Sequence, residues 1–280
     1  RTLFIQRRSP GGADIMDLFL SGKRAVVTGG SRGIGFAIAD ALSAEGVEIA
    51  LLARDPGRLA AAAARLRERG GRVLALSADT TDDKAVRTAI AHVAEDLGGV
   101  DILVNNAATP AGASSPRDLA DLVDDDILAA FDTKVLGYLR AARAVAPYMI
   151  AQGWGRIINI SGLAARGVST ASGSIRNVAV AALTKTLADE LGPKGINVTV
   201  VHPGWTVTER TGDHIAAYAS ARGITEAAAQ VMLAKAISIG RPVTAAELAS
   251  VVTFLASPRS VAISGDAIAA GGGARGPIHY

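Results

Sequence analysis

The sequence predicts a doubly wound α/β domain, a Rossmann-type parallel sheet of about seven strands with helices on both faces. Two observations carry that prediction. From Arg24 onward, short β-branched runs alternate with long alanine-rich stretches of helical period, the pattern of repeated strand–helix–strand units. The segment Thr28-Gly29-Gly30-Ser31-Arg32-Gly33-Ile34-Gly35 falls directly between the first such run and the first helical stretch, 36–45, which Gly46 ends.

Strands are expected at 25–28, 48–53, 73–77, 102–105, 156–160, 197–202 and 267–269, each mostly apolar throughout, as strands covered on both faces must be. The intervening helices have legible ends. Asp55-Pro56 reads as an N-cap followed by a first-turn proline, with Gly70-Gly71 closing that helix, and Thr244 with Glu247 forms a capping box ahead of a helix that stops before Pro258. No internal repeat or linker divides the chain, so one domain is expected over 16–280. Residues 1–15 lack periodicity, carry Ser9-Pro10-Gly11-Gly12 and precede Met16; they read as a disordered upstream extension or an expression remnant.

A chain of 280 residues with 49% hydrophobic content can bury a large core, which excludes a disordered protein. The formal charge is +3, and Arg1, Arg7 and Arg8 against Asp14 supply most of it, leaving a nearly neutral body. Despite a pI of about 9.4, no Lys/Arg stripe with interleaved aromatics occurs, so no nucleic-acid partner is expected. The absence of cysteine excludes disulfides, thiolate metal sites and a cysteine nucleophile, and cytoplasm is the expected compartment. No apolar run approaches the roughly 20 residues that cross a bilayer, and Leu3-Phe4-Ile5 falls short of the roughly 7–15 apolar residues of a signal peptide. No membrane partner is expected.

The glycine segment is the first functional signal. Glycine is needed where backbone turns with positive φ and approaches a pyrophosphate closely, and the helix that follows offers free N–H groups and a partial positive charge. A glycine triple alone can be only a tight turn, but between a buried strand and a helix it points to dinucleotide binding.

The spacing Gly29, Gly33, Gly35 resembles the short-chain dehydrogenase/reductase family, and the resemblance runs from Met16 to Gly273. Further motifs follow in the family's order: Asp79 after the third strand, Asn105-Asn106-Ala107-Ala108 after the fourth, Pro203-Gly204-Trp205-Thr206-Val207-Thr208 after the sixth, and Ser264-Gly265 with Gly271-Gly272. The resemblance implies strand order 3-2-1-4-5-6-7. It implies that Gly29, Ser31, Arg32, Gly33, Ile34 and Gly35 hold the cofactor's phosphates, with Asp79 and Thr80 at the adenine, Asn106 and Ala107 at the ribose, and Pro203, Gly204 and Thr208 at the nicotinamide. Alternatives remain open: Asn106 pins neighbouring strands, and Asp79 caps the helix beginning near Asp82. The family also assembles as dimers or tetramers, here through 139–146 and 178–188, so a homotetramer is expected, with a homodimer next.

The second strand ends Leu52-Ala53-Arg54. An acidic residue there would bind the ribose hydroxyls of NAD, whereas an arginine pairs with the 2′-phosphate of NADP. With Arg32 able to converge on the same phosphate, NADP(H) is favoured over NAD(H). The alternative is that Arg54 is a solvated charge and Asp55 receives the ribose.

In the family a Ser, a Tyr, a Lys four residues after the Tyr, and an Asn from a preceding helix carry out general acid–base chemistry. Here Gly173 falls at the Tyr position, Asn177 at the Lys, Gly162 at the Ser with Ser161 beside it, and Lys134 at the Asn. The chain reads as a divergent member with an atypical active site. Three readings survive: hydride transfer to a small organic substrate with Lys134, or water held by Ser161 and Asn177, as proton donor to an activated C=C or C=N bond; non-catalytic NADP(H) binding as a sensor or partner subunit; or isomerase or lyase chemistry in the same cleft. NADP(H)-dependent oxidoreductase leads.

Lys134 is expected to face the space at Gly173, where desolvation lowers its pKa; the alternative is a salt bridge to Asp132 or to Asp124, Asp125 and Asp126. Arg166 and Arg176 lie in the same region, so the substrate either carries an anionic group or these charges face solvent. His202 is a possible proton donor, set against a strand-end histidine bonded to backbone. His92, His214 and His279 lack metal-ligand spacing, and the three consecutive acids read as a solvated helix start. Segment 207–239 is expected to form a substrate lid, with Trp205 and Tyr218 lining the pocket or packing the lid.

Overall fold

The computed structural model describes residues 16–108 and 119–275. The expected extension at 1–15 and His279 lie outside them.

The first half runs β1 (Arg24–Thr28), α1 (Gly33–Ala44), β2 (Glu48–Ala53), α2 (Pro56–Arg67), β3 (Val73–Ser77), α3 (Asp83–Leu97) and β4 (Ile102–Asn105). The second half contains α4 (Asp124–Phe131), α5 (Gly137–Gln152), β5 (Gly155–Ile160), α6 (Ala171–Leu191), β6 (Ile196–Pro203), β7 (Thr206–Val207), α7 (Thr211–Ser220), α8 (Glu226–Lys235), β8 (Val243–Thr244), α9 (Ala245–Ala256) and β9 (Ala267–Ala270). Seven strands form one sheet in the order β3-β2-β1-β4-β5-β6-β9, every pair parallel. The predicted fold class and strand order are those observed.

Two apolar layers flank the sheet. On one face Ile38 and Leu42 of α1, Leu59 and Leu66 of α2, and Leu248 and Leu255 of α9 pack on the strands. On the other, Ile90 and Val93 of α3, Val145 and Met149 of α5, and Leu187 and Leu191 of α6 do the same. The caps read from sequence are present: Asp55 accepts from the Arg58 N–H at 3.0 Å, and Thr244 and Glu247 form the reciprocal capping box.

Two features escaped sequence patterning. The ribbon β7–β8 has two residues per strand, too few to show alternation. Between α4 and α5, residues Asp132–Leu136 widen into a π-helical turn, so a single long helix carries a local bulge at Lys134. Such bulges re-aim side chains. The ends of β1, β4, β5 and β6 therefore bring Gly29, Asn106, Ser161 and His202 to one edge of the sheet, beside the π turn. No helix of the described residues is long and apolar enough to cross a membrane.

Candidate active site

The glycine loop is built for close approach. Gly29 takes φ +64° and Gly33 φ +56°, values that favour glycine. A Cβ on Gly35 would lie 2.3 Å from the Gly29 carbonyl oxygen and 2.4 Å from Asn106 Nδ2, so only glycine lets α1 pack against the loop. Asn106 Nδ2 donates to the carbonyls of Thr28 and Gly29 at 3.2 and 3.1 Å, and Thr28 Oγ1 accepts from the N–H groups of Asn106 and Ala107 at 3.0 and 3.1 Å. Asn106 thus has the strand-pinning contacts of the bland alternative. Thr28 is a positioning residue that sequence reasoning passed over; its signal is a hydroxyl ending an otherwise apolar strand.

The N-terminus of α1 has no side-chain cap and no acidic residue in its first turn. Its free N–H groups fit a pyrophosphate. Ser31 and Ile34 flank this turn, with Ile34 packed on the core, and Thr208 and Glu209 arch over Gly33 at 3.7 Å from where its Cβ would sit. Gly204 and Gly271 touch backbone to backbone, since a Cβ on Gly204 would meet the Gly271 Cα at 2.8 Å. That contact fixes the turn between Pro203 and Thr208 against the end of β9.

At the end of β2, Arg54 is largely exposed and its guanidinium lies 3.9 Å from the Asp79 carboxylate. Asp55 is occupied as the α2 cap and by an ion pair with Arg58 at 3.3 Å. Its pKa is lowered by the Arg58 backbone hydrogen bond first, and the charge of Arg32 adds to this, so Arg32 reaches toward the same corner. Asp79 accepts from the Thr81 N–H and hydroxyl at 3.0 and 2.9 Å. The helix cap that was its alternative role belongs instead to Asp82, which accepts from the Ala85 N–H. Thr80 is buried against the π turn, its hydroxyl 3.5 Å from the Thr133 carbonyl.

The chemistry-bearing residues converge on Lys134. Its side chain is 5% exposed, and Nζ donates to the Ser161 carbonyl at 2.9 Å and to Asn177 Oδ1 at 2.8 Å. Burial, followed by the charge of Arg176, lowers its pKa to about 7. The salt-bridge alternative is corrected: Asp132 pairs with Arg140 at 2.7 Å, because the π turn rotates Lys134 inward while Asp132 stays outside, and Asp124, Asp125 and Asp126 are exposed at the start of α4. Asn177 Nδ2 donates to the Gly173 carbonyl at 2.8 Å, and Ser161 Oγ donates to the Asn177 carbonyl at 3.0 Å. A Cβ on Gly162 would lie 3.3 Å from Asn177 Nδ2. Lys134, Ser161, Asn177, Gly162 and Gly173 therefore form one cluster.

His202 is 1% exposed, with Nδ1 lacking a partner. Among the described residues no backbone group bonds the ring, which corrects that expectation: β6 uses its backbone groups within the sheet and the imidazole is left unpartnered at Nδ1. Burial, then the charges of Arg166 and Lys134, lowers its pKa to about 4. Arg166 donates to the Ala267 carbonyl at 2.6 Å, and Arg176 has a buried Nε without a partner. Trp205, just before the segment 207–239, and Tyr218 within it pack on Ile215, Ala219 and Ala229. A cavity of about 340 Å³ opens between Trp205, Ile215, Val231 and Pro242. Among the described residues no cluster of His, Asp or Glu could hold a metal ion.

Residues 23–219 match the family described as short chain dehydrogenase. The chain is 35% identical over 255 residues to the short-chain reductase protein NovJ of Streptomyces niveus, covering 89% of this chain and 92% of that protein. Its fold is similar to L-sorbose reductase from Gluconobacter frateurii, complexed with NADPH and L-sorbose, at a TM-score of 0.87 and 32% identity over 94% of this chain and 100% of the other. It is also similar to an NAD+-bound xylitol dehydrogenase at a TM-score of 0.84 and 27% identity, over 91% and 100% of the two chains. With the glycine loop, the parallel sheet and this match in agreement, the chain belongs to the short-chain dehydrogenase family of NAD(P)-dependent oxidoreductases.

Proposed function

We propose that this protein is an NADP(H)-dependent oxidoreductase with an atypical active site, in which Lys134 stands near the reacting atoms in place of the family's tyrosine. The observation that carries the reading is the buried Lys134 ammonium, which donates to the Ser161 carbonyl and to Asn177 Oδ1. When bound, the nicotinamide supplies or takes the hydride. An uncapped α1 N-terminus with Gly29, Ser31, Gly33, Ile34 and Gly35 would hold the pyrophosphate. Asp79, Thr80, Asn106 and Ala107 would flank the adenosine half, and Pro203, Gly204 and Thr208 the nicotinamide half. Arg32 and Arg54 would take the 2′-phosphate, a role favoured by the engagement of Asp55 elsewhere and by the NADPH held by L-sorbose reductase.

An ammonium has three N–H donors, and Lys134 uses two on protein acceptors. The third would donate its proton to the oxygen or carbon that gains the electron pair, and solvent would restore it. With its pKa near 7, Nζ is suited to moving a proton in either direction near neutral pH. Asn177 and the Ser161 carbonyl hold the amine, which makes them positioning groups. The substrate is a small organic molecule, with the lid 207–239 closing over it. A homotetramer, with a homodimer next, fits the exposed Ile175 and Val178 on α6 and Leu128 on α4. Cytoplasmic location, expected from the cysteine-free sequence, completes the reading.

The test is NADPH oxidation against ketones, enones, imines and quinones. Turnover that disappears in Lys134→Met, with NADPH affinity retained, is the expected result. Tight NADPH binding with no turnover of any acceptor would reject catalysis in favour of a binding-only role.

A further inference from the structure

The short ribbon after β6 builds one wall of a cavity. Thr206 pairs with Val243 and Val207 with Thr244, and the Val243 N–H donates to the Trp205 carbonyl at 3.2 Å. This register sets Pro242 beside Trp205, and the capping box at Thr244 ties the ribbon to α9. Across from it stand α7 and α8, which pack on each other through Ile215, Ala219 and Ala229. The cavity of about 340 Å³ lies between, with Ile215 of α7 and Val231 and Ala234 of α8 on its far side.

Its lining is apolar and carries no charged side chain; the polar members are Thr211 and Gln230. Thr211 Oγ1 already accepts from the Thr208 N–H at 2.8 Å, so its O–H and the Gln230 amide are what the cavity offers a polar atom. Small-molecule sites occupy roughly 300–1,000 Å³ and combine such apolar walls with a few polar groups. The indole of Trp205 presents a flat face suited to a ring. A polyol would give up its water for Ile215, Val231, Ala234 and Pro242, leaving most of its hydroxyls without partners, which is costly. Val231 is exposed at the rim, so the cavity opens to solvent.

The cavity also borders the cofactor side. Trp205 directly follows Gly204, and Thr211 holds Thr208, which arches over Gly33. Its wall therefore begins and ends on the turn read as flanking the nicotinamide.

We propose that this cavity binds a neutral apolar ring, aromatic or alicyclic, carried by the substrate, and that it rejects polyols. This rests on the oxidoreductase reading and narrows its substrate class.

The experiment is titration calorimetry of the NADP+-loaded protein, where ketones are not reduced, with acetophenone, acetone and L-sorbose. Acetophenone is expected to bind at least tenfold more tightly than acetone, and L-sorbose to give no heat. Ala234→Phe, which fills the cavity from a half-buried position, should erase the preference for the ring. Val231→Glu should do the same from the exposed rim, where the fold tolerates a charge. NADP+ titrated into each variant shows that it is folded. Fluorescence locates the ring: the chain has two tryptophans, so in Trp154→Phe the emission of Trp205 alone should change, saturating at the calorimetric midpoint. Equal affinity for acetophenone and acetone, binding of L-sorbose, a ring preference that survives both variants, unchanged Trp205 emission, or no binding of any probe overturns the proposal. The two readings fail separately: a ring preference without turnover of any acceptor leaves the apolar site and removes the oxidoreductase, while turnover of ketones with no advantage from a ring does the reverse.

Discussion

Lys134 Nζ donates to Asn177 Oδ1 across 2.8 Å, and by the family resemblance each stands where the other residue type belongs. By that resemblance the pair reads as an exchange, with the amine on the π turn where the family has an amide and the amide on α6 where the family has an amine. Either change alone would leave two amides or two amines at the contact. Asn177→Lys alone is expected to destabilise the protein most, since it brings two buried ammonium groups together beside Arg176. Lys134→Asn with Asn177→Lys together should recover part of that loss. Urea unfolding of the four proteins should give a coupling energy on the order of 1–3 kcal/mol; additive effects would show that the two sites are independent.

Lys134 also predicts a pH dependence. Its pKa falls from 10.5 in the free side chain to about 7 in the fold, so between these values the unfolded chain binds more protons than the native one, and stability rises with pH. His202, with its pKa near 4, stays neutral throughout this window. Relative to Lys134→Met, the wild-type protein should therefore gain stability from pH 7 to pH 10, by a few kcal/mol at most. Melting temperatures of both proteins across that range check this, and parallel curves would mean that Nζ is solvated.

The sheet was legible because a strand covered on both faces must be mostly apolar: Ile102–Asn105 and Gly155–Ile160 are buried throughout, with Asn105, Arg156 and Asn159 as their polar members. The glycine loop was legible because Gly35 faces a steric demand that only one residue type meets. The direction of Lys134 was not. Salt bridging to Asp132 and insertion into the cluster differ only by the rotation that the π turn imposes, and no glycine or proline in 132–136 marks it. The isolation of His202 Nδ1 was equally hidden, because a histidine ending a strand ordinarily finds a backbone partner.

The steric demand on the glycine loop leads to a mutation of known sign. Gly35→Ala would put a methyl group 2.3 Å from the Gly29 carbonyl oxygen, so α1 or the loop must shift. A cost of about 1–3 kcal/mol is expected from such overpacking, accompanied by loss of NADPH binding, because the displaced groups include the N–H donors of the first turn. Gly70→Ala is the control: its neighbourhood is open but φ is +86°, so the backbone is strained without touching the loop, and NADPH affinity should survive a lower melting temperature. Equal loss of nucleotide binding in both variants would trace the effect to general instability.

The cofactor preference rests on two arginines and one occupied aspartate. Asp55 caps α2 and pairs with Arg58, so it meets a ribose hydroxyl only by giving up the helix start. Arg54 and Arg32 have no such commitment to helix structure, and the one ion pair of Arg54 among the described residues is the 3.9 Å contact with Asp79. A 2′-phosphate offers both a stronger acceptor than that exposed carboxylate does. NADPH should therefore bind at least about tenfold more tightly than NADH, the ratio expected from a charge-assisted contact of roughly 1.5–3 kcal/mol. Arg32→Ala with Arg54→Ala should reduce the ratio toward one by weakening NADPH, with NADH almost unaffected. Raising salt should narrow the gap as well, because both guanidinium groups are exposed and screened. Calorimetric titrations of both nucleotides at low and high salt decide the matter, and equal affinities in the wild-type protein would assign the two arginines to the solvated surface.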